Sequence, residues 1–113
     1  MVRFVRCLAL AACLGLPLWA HAQEPERLRI HGSNSIGERL MPALVEDWLR
    51  SIGYENLQRM SPSGTLTEMH AIRDGQPLVV QIDRHGSASG LQALIHGDTE
   101  LAMSTRVPNA AER

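Results

Sequence analysis

Three short stretches of this chain carry the residue types that hold an anion: Gly32-Ser33-Asn34-Ser35, Gly86-Ser87-Ala88-Ser89-Gly90 and Ser104-Thr105-Arg106. The chemistry they suit is reversible capture of an oxyanion. Free N–H groups at the start of a helix point outward with the positive end of its dipole, and serine hydroxyls add directional donors. Arg106 could add a bidentate, charge-assisted pair. Each stretch also has a plainer reading. Ser33, Asn34 or Ser35 would cap a following helix, Ser87 or Ser89 would cap another, and Arg106 would be a surface salt-bridge arginine. Sequence leaves both readings open.

Other chemistries find less support. A nucleophile elbow needs serine at the centre of Gly-x-Ser-x-Gly, and Gly86-Ser87-Ala88-Ser89-Gly90 has Ala88 there. No separate histidine and acid segment presents itself as a partner. A Walker loop needs lysine, and the chain has none. His31, His70, His85 and His96 share no metal-ligand spacing. His31 and His85 each precede a Gly-Ser turn, which would bring them beside the same mouth. The expectation is binding without catalysis, with no cofactor and no metal ion.

For the three stretches to meet, they must leave one edge of a sheet. Leu28-Arg29-Ile30 reads as a short strand ending at His31-Gly32. Beyond it, Ile36, Leu40, Met41, Leu44, Val45, Trp48, Leu49 and Ile52 recur at helical spacing and predict an amphipathic helix closed by Gly53. Trp48 and the Leu and Met positions of that helix are expected in the core. Pro42 interrupts it: either the helix kinks, or a short turn at 35–40 precedes a main helix opening at Pro42. Leu57 to Met60 reads as a second strand, Thr65 to Arg73 as a short helix closed by Asp74-Gly75, and Leu78 to Ile82 as the strongest strand. Gly90 to His96 reads as a helix ended by Gly97, and Glu100 to Ser104 as a last strand. Asn109 followed by Glu112 reads as a capping box opening a further helix. The alternation predicts an α/β fold, a mixed sheet flanked by helices. In such open sheets ligands gather beyond the carboxyl ends of strands, where all three stretches fall.

The first residues set the compartment. Met1 to Arg6 is basic, Cys7 to Trp19 is apolar, and Ala20-His21-Ala22 supplies small residues before a cut. That is a secretory signal peptide over 1–22, leaving 23–113 as the mature, periplasmic part. The competing reading, a lipoprotein box at Leu10-Ala11-Ala12-Cys13, would leave too short an apolar centre. Both cysteines lie within the leader, so the mature part has neither disulfide nor thiolate chemistry. Without Arg3 and Arg6 it carries nine arginines against twelve acids. A balance near −3 disfavours nucleic acid and anionic membrane surfaces as partners. The end of the chain, a helix start without a body, reads as a truncation.

Taken in order, these residues resemble a known group. Leu28-Arg29-Ile30-His31-Gly32-Ser33-Asn34-Ser35-Ile36-Gly37 with Leu40-Met41-Pro42-Ala43-Leu44 is similar to the opening of phosphate-type periplasmic solute-binding proteins. His85-Gly86-Ser87-Ala88-Ser89-Gly90 with Leu94 and Gly97 resembles their second Gly-Ser turn. Gly97-Asp98-Thr99-Glu100-Leu101-Ala102-Met103-Ser104-Thr105-Arg106 resembles their third strand end. The resemblance implies an N-terminal, type II periplasmic-binding-protein-like lobe whose second lobe is missing. It implies a phosphate-like oxyanion held by Ser33, Asn34 or Ser35, Ser87, Ser89, Ser104, Thr105 and Arg106, and delivery to an ABC transporter permease in the membrane. Two departures stand out. The family commonly places an aspartate beyond the last strand, and here Ser104-Thr105-Arg106 has no carboxylate. The family is also two-lobed and longer. Some relatives in that group carry an OmpA-like module, so the alternatives are an envelope scaffold protein that reaches peptidoglycan through a missing C-terminal module, and a non-functional fragment.

Overall fold

A strand, β1 (Glu26–Gly32), leads through a π-helical turn at Ile36–Leu40 into helix α1 (Met41–Ser51). Three strands follow, β2 (Glu55–Met60), β3 (Leu66–Arg73) and β4 (Gln76–Arg84). Helix α2 (Ser87–Ile95), strand β5 (Leu101–Met103) and a 3₁₀ turn at Ala110–Glu112 complete the chain. This computed structural model describes residues 24–113. The leader, the cut after Ala22 and the box at Leu10 to Cys13 lie outside the described residues. Among the described residues no helix is long and apolar enough to cross a membrane.

The strands form one mixed sheet in the order β2-β3-β4-β1-β5. β1 runs parallel to both neighbours, β4 and β5, while β2–β3 and β3–β4 are antiparallel. The expected α/β sheet flanked by helices is therefore what forms. The two parallel crossovers, β1 to β2 and β4 to β5, travel across the sheet in opposite directions. Right-handed connections then put α1 and α2 on opposite faces. On the α1 face, Val45 and Leu49 pack with Ile30, Met69, Ala71, Leu78, Val80, Ile82 and Met103 into the main core. Leu49, Val80 and Ile82 are wholly buried. Truncating Leu49 to alanine would cost about 2–5 kcal/mol.

Pro42 resolves in favour of the short turn before the helix. The Met41 N–H donates to the Ile36 carbonyl, five residues back, so the turn at 36–40 is wound wide. Leu40 and Met41 are both helical, so the chain winds on without a break, and Pro42, which has no N–H to give, sits where the wide turn passes into α1. Gly53 and Gly97 close the helices with positive φ, as expected.

Two expectations need correction. Residues 65–73 are not a helix. They form strand β3, in which Thr67, Met69 and Ala71 are buried and alternate with Glu68, His70 and Ile72. Asp74 and Gly75, at φ 52° and 75°, make the two-residue hairpin turn into β4 instead of closing a helix. The second correction concerns α1. Leu40, Leu44 and Trp48 are 53 %, 52 % and 44 % exposed, not core. The helix lies over β2, β3 and β4, so its other flank overlooks β1 and β5 without a layer above it among the described residues. Leu44 and Trp48, with Met41, Leu28, Ile30 and Leu101, line an apolar trough of about 400 Å³.

The hairpin offers a clean stability test. A Cβ on Gly75 would meet nothing within 4 Å, so any cost of Gly75→Ala is the left-handed backbone itself. We expect that substitution to lower the unfolding free energy by about 1–2 kcal/mol, read from the urea midpoint at unchanged slope.

Candidate functional site

Three strand tips lie level. Gly32, the last residue of β1, pairs across with Arg84 at the end of β4 and with Met103 at the end of β5. β1 and β4 are adjacent and send their chains to opposite faces, which makes a crevice at their carboxyl ends. The loops that leave the tips are tied to one another by the backbone. Ser33 N–H donates to the Met103 carbonyl at 3.0 Å, and the His85 and Gly86 N–H groups share the Gly32 carbonyl at 3.2 and 2.9 Å. The Thr105 N–H donates to Ser87 Oγ at 3.1 Å, and the two hydroxyls lie 3.3 Å apart. All three Ser-rich stretches thus meet at one edge. α2 approaches closely because Gly90 has no side chain: a Cβ there would stand 2.5 Å from Gly32 Cα and from the His31 carbonyl oxygen.

The individual residues divide by what they already bond. Ser33 is 3 % exposed; its Oγ accepts from the Ile36 N–H at 3.3 Å and its carbonyl from Gly37. Its hydroxyl oxygen serves the helix start, which is the capping role. Asn34 and Ser35 open that helix, exposed, with no side-chain hydrogen bond among the described residues. Neither Ser87 nor Ser89 is a cap. Gly86 precedes α2 with φ 97° and no side chain to bond. Ser87 instead reaches Thr105, and Ser89 lies exposed on the first turn of α2. Ser104 Oγ donates to the Arg106 carbonyl at 2.6 Å and accepts from the Arg106 N–H, bracing its own loop. Asn34, Ser35 and Ser89 are exposed on the first turns of the two helices that leave this edge, where the first N–H groups lack helical partners.

Arg106 is engaged. Its Nη1 and Nη2 donate to Glu112 Oε2 and Oε1 at 2.8 and 2.7 Å, a two-pronged pair. Glu112 Oε2 also accepts from the Asn109 N–H at 2.9 Å, and Asn109 Oδ1 accepts from Ala111, so the expected capping box forms on a single 3₁₀ turn. The Arg106 hydrogen bonds, with the Asn109 N–H second, hold the Glu112 carboxyl down at about 2.

Residues that sequence reasoning passed over also shape the mouth. The Arg84 stem packs on Gly37, where a Cβ would lie 2.6 Å from its Cγ. Its guanidinium donates to the Gly64 carbonyl at 2.7 Å and to Thr65 at 3.4 Å, drawing the 61–65 loop to the same edge. The signal available was an arginine ending the strongest strand. Asp83 Oδ1 lies 2.8 Å from His85 Nε2, at ion-pair distance but outside hydrogen-bond alignment. His31 pairs in register with Asp83, so both histidines do flank this edge. β5 has only three residues of ladder, and side chains reinforce it. Glu100 accepts from the Arg29 N–H at 2.7 Å and from Arg29 Nη2 at 2.8 Å, while Thr99 Oγ1 donates to the Arg29 carbonyl at 2.7 Å. Among the described residues no group of three His, Cys, Asp or Glu side chains could hold a metal ion.

Comparisons with protein-family models, with curated proteins and with solved structures give no match.

Two outcomes follow from this geometry. Gly90→Ala would force α2 off the β1 tip against backbone atoms that cannot yield, and we expect a loss of about 1–3 kcal/mol in chemical denaturation. Acid should also release the β5 clasp. The Arg29 hydrogen bonds hold the Glu100 carboxyl down from the usual 4.5 to about 2. A carboxyl depressed on folding contributes stability above its unfolded value and loses it as pH falls through the folded one. The difference in unfolding free energy between the parent and Glu100→Gln should be full at pH 6, shrink between 4.5 and 2, and vanish below.

Proposed function

We propose that this chain is a lobe of a phosphate-type, type II periplasmic solute-binding protein. It is exported, binds phosphate or a similar oxyanion reversibly, and presents it to an ABC-type permease in the membrane. The observation that carries this reading is the convergence of the three Ser-rich turns on one sheet edge. They sit at the crevice where β1 and β4 send their chains to opposite faces. An oxyanion there meets the first-turn N–H groups after Ser33 and Gly86, together with the Asn34, Ser35 and Ser89 side chains. Neutral donors suit such a guest. They fill its many lone pairs directionally. Nothing in the mechanism breaks a covalent bond.

The carboxylate that the family places beyond its last strand is absent from Ser104-Thr105-Arg106. Discrimination between protonated and fully ionised anions falls to other groups near the edge, the Asp83–His85 pair among them. A single lobe also leaves one side of the guest hydrated, so binding by this lobe alone is weak, because closure and full desolvation supply much of the affinity.

Isothermal titration with inorganic phosphate and sulfate tests the reading. Binding of at least one is expected, at an affinity that Ser35→Ala and Ser89→Ala each weaken by roughly 2- to 10-fold, the worth of one neutral hydrogen bond. The exposed Ser51→Ala, at the far end of α1, should change nothing. Absence of heat with both anions would remove the ligand assignment.

A further inference from the structure

Arg106 is a cation placed beside the mouth and already satisfied by the chain's own carboxylate. Resting on the anion-binding reading, we propose that Glu112 is an internal stand-in for the ligand: it occupies the Arg106 fork, and an arriving oxyanion must displace it. The geometry supports this in three ways. The pair is two-pronged, at 2.7 and 2.8 Å. A carboxylate presents two oxygens to a guanidinium just as a phosphate or sulfate does, so the two compete for the same donors. Glu112 is also fixed in place for that pairing, on a turn at Ala110–Glu112 that lies against α2 and is held by the Asn109 box. Finally, Arg106 directly follows Thr105, whose N–H and hydroxyl meet Ser87 at the first residue of α2. A fork freed from Glu112 is therefore within a residue of the first-turn donors that face the mouth.

The device sets a threshold. An anion too weak to compete with an adjacent carboxylate finds only neutral donors, whereas a strong oxyanion recruits the cation as well. Removing the competitor should tighten binding, the opposite of what loss of a supporting residue does. Sulfate titration of the parent, Glu112→Gln, Arg106→Gln and the double variant distinguishes these. The expected result is about tenfold tighter binding for Glu112→Gln, in keeping with a hydrogen bond to a charged group. Arg106→Gln should weaken binding, and Glu112→Gln should have no effect in that background. Asn109→Ala loosens the turn while leaving the ion pair in place, and should bring no comparable gain. Unchanged or weaker binding by Glu112→Gln, with the parent still binding sulfate, overturns the stand-in alone. A gain that survives in the Arg106→Gln background overturns it too. No binding of sulfate or phosphate by any variant overturns the anion site and the stand-in together.

Discussion

β1 has a parallel neighbour on each side, and the level of its last residue is shared by both: Gly32 stands opposite Arg84 and Met103. Parallel strands that end level must release their chains at the same height. The loops after β1, β4 and β5 therefore crowd over one short edge. Their closeness comes from the sheet and not from attraction between the loops. The backbone bonds from Ser33 to Met103 and from His85 and Gly86 to Gly32 hold that arrangement in place. Opposite crossovers open the crevice between the first two loops. Glycine at 90 then lets α2 come down close enough for its first turn to take part.

Much of this was legible in the residues, and the failures have physical causes. β1, β4 and α1 announce themselves by apolar runs of clear period, and Pro42 marks where the wide turn passes into α1. The helix expected over 65–73 rests on Glu68, Met69, Ala71 and Arg73, which are comfortable in helices. The alternation of Thr67, Met69 and Ala71 with Glu68, His70 and Ile72 is the stronger signal, and Asp74-Gly75 before a β-rich run is a hairpin turn. Local propensity yielded to the pairing of β3 with β4 across eight positions. Trp48 lies outside the core for another reason. Helical periodicity gives the width of an apolar stripe but not which strands lie beneath it, and α1 covers the β2 side of the sheet.

The candidate site divides along the same line. That the three stretches lie at strand ends follows from local pattern, and so does the capping box at Asn109. What each hydroxyl bonds does not. Ser33 points inward to its own helix, Ser87 reaches eighteen residues on to Thr105, and Arg84 fastens a loop twenty residues back at Gly64. Such partners are chosen by tertiary placement, which no short motif encodes. Glu112 was visible as a cap, while its grip on Arg106 depends on a fold of the chain between them.

β5 is where sheet and side chains trade roles. Three residues of ladder at an edge cannot by themselves fix a loop. The load passes to Arg29 and Glu100 at one end of the strand and to the Ser87–Thr105 contact at the other. Both ties are exposed, and exposed polar ties open at less cost than a buried core. β1 and β4 together place Ile30, Leu78, Val80 and Ile82 in the main core, and β5 enters it through Met103 alone. The mouth is consequently asymmetric: two rims leave long ladders, and the third, with Ser104 to Arg106, follows three residues of ladder, one core side chain and surface ties. Opening this edge therefore costs least at the third rim, the one that carries Arg106 and its pairing with Glu112.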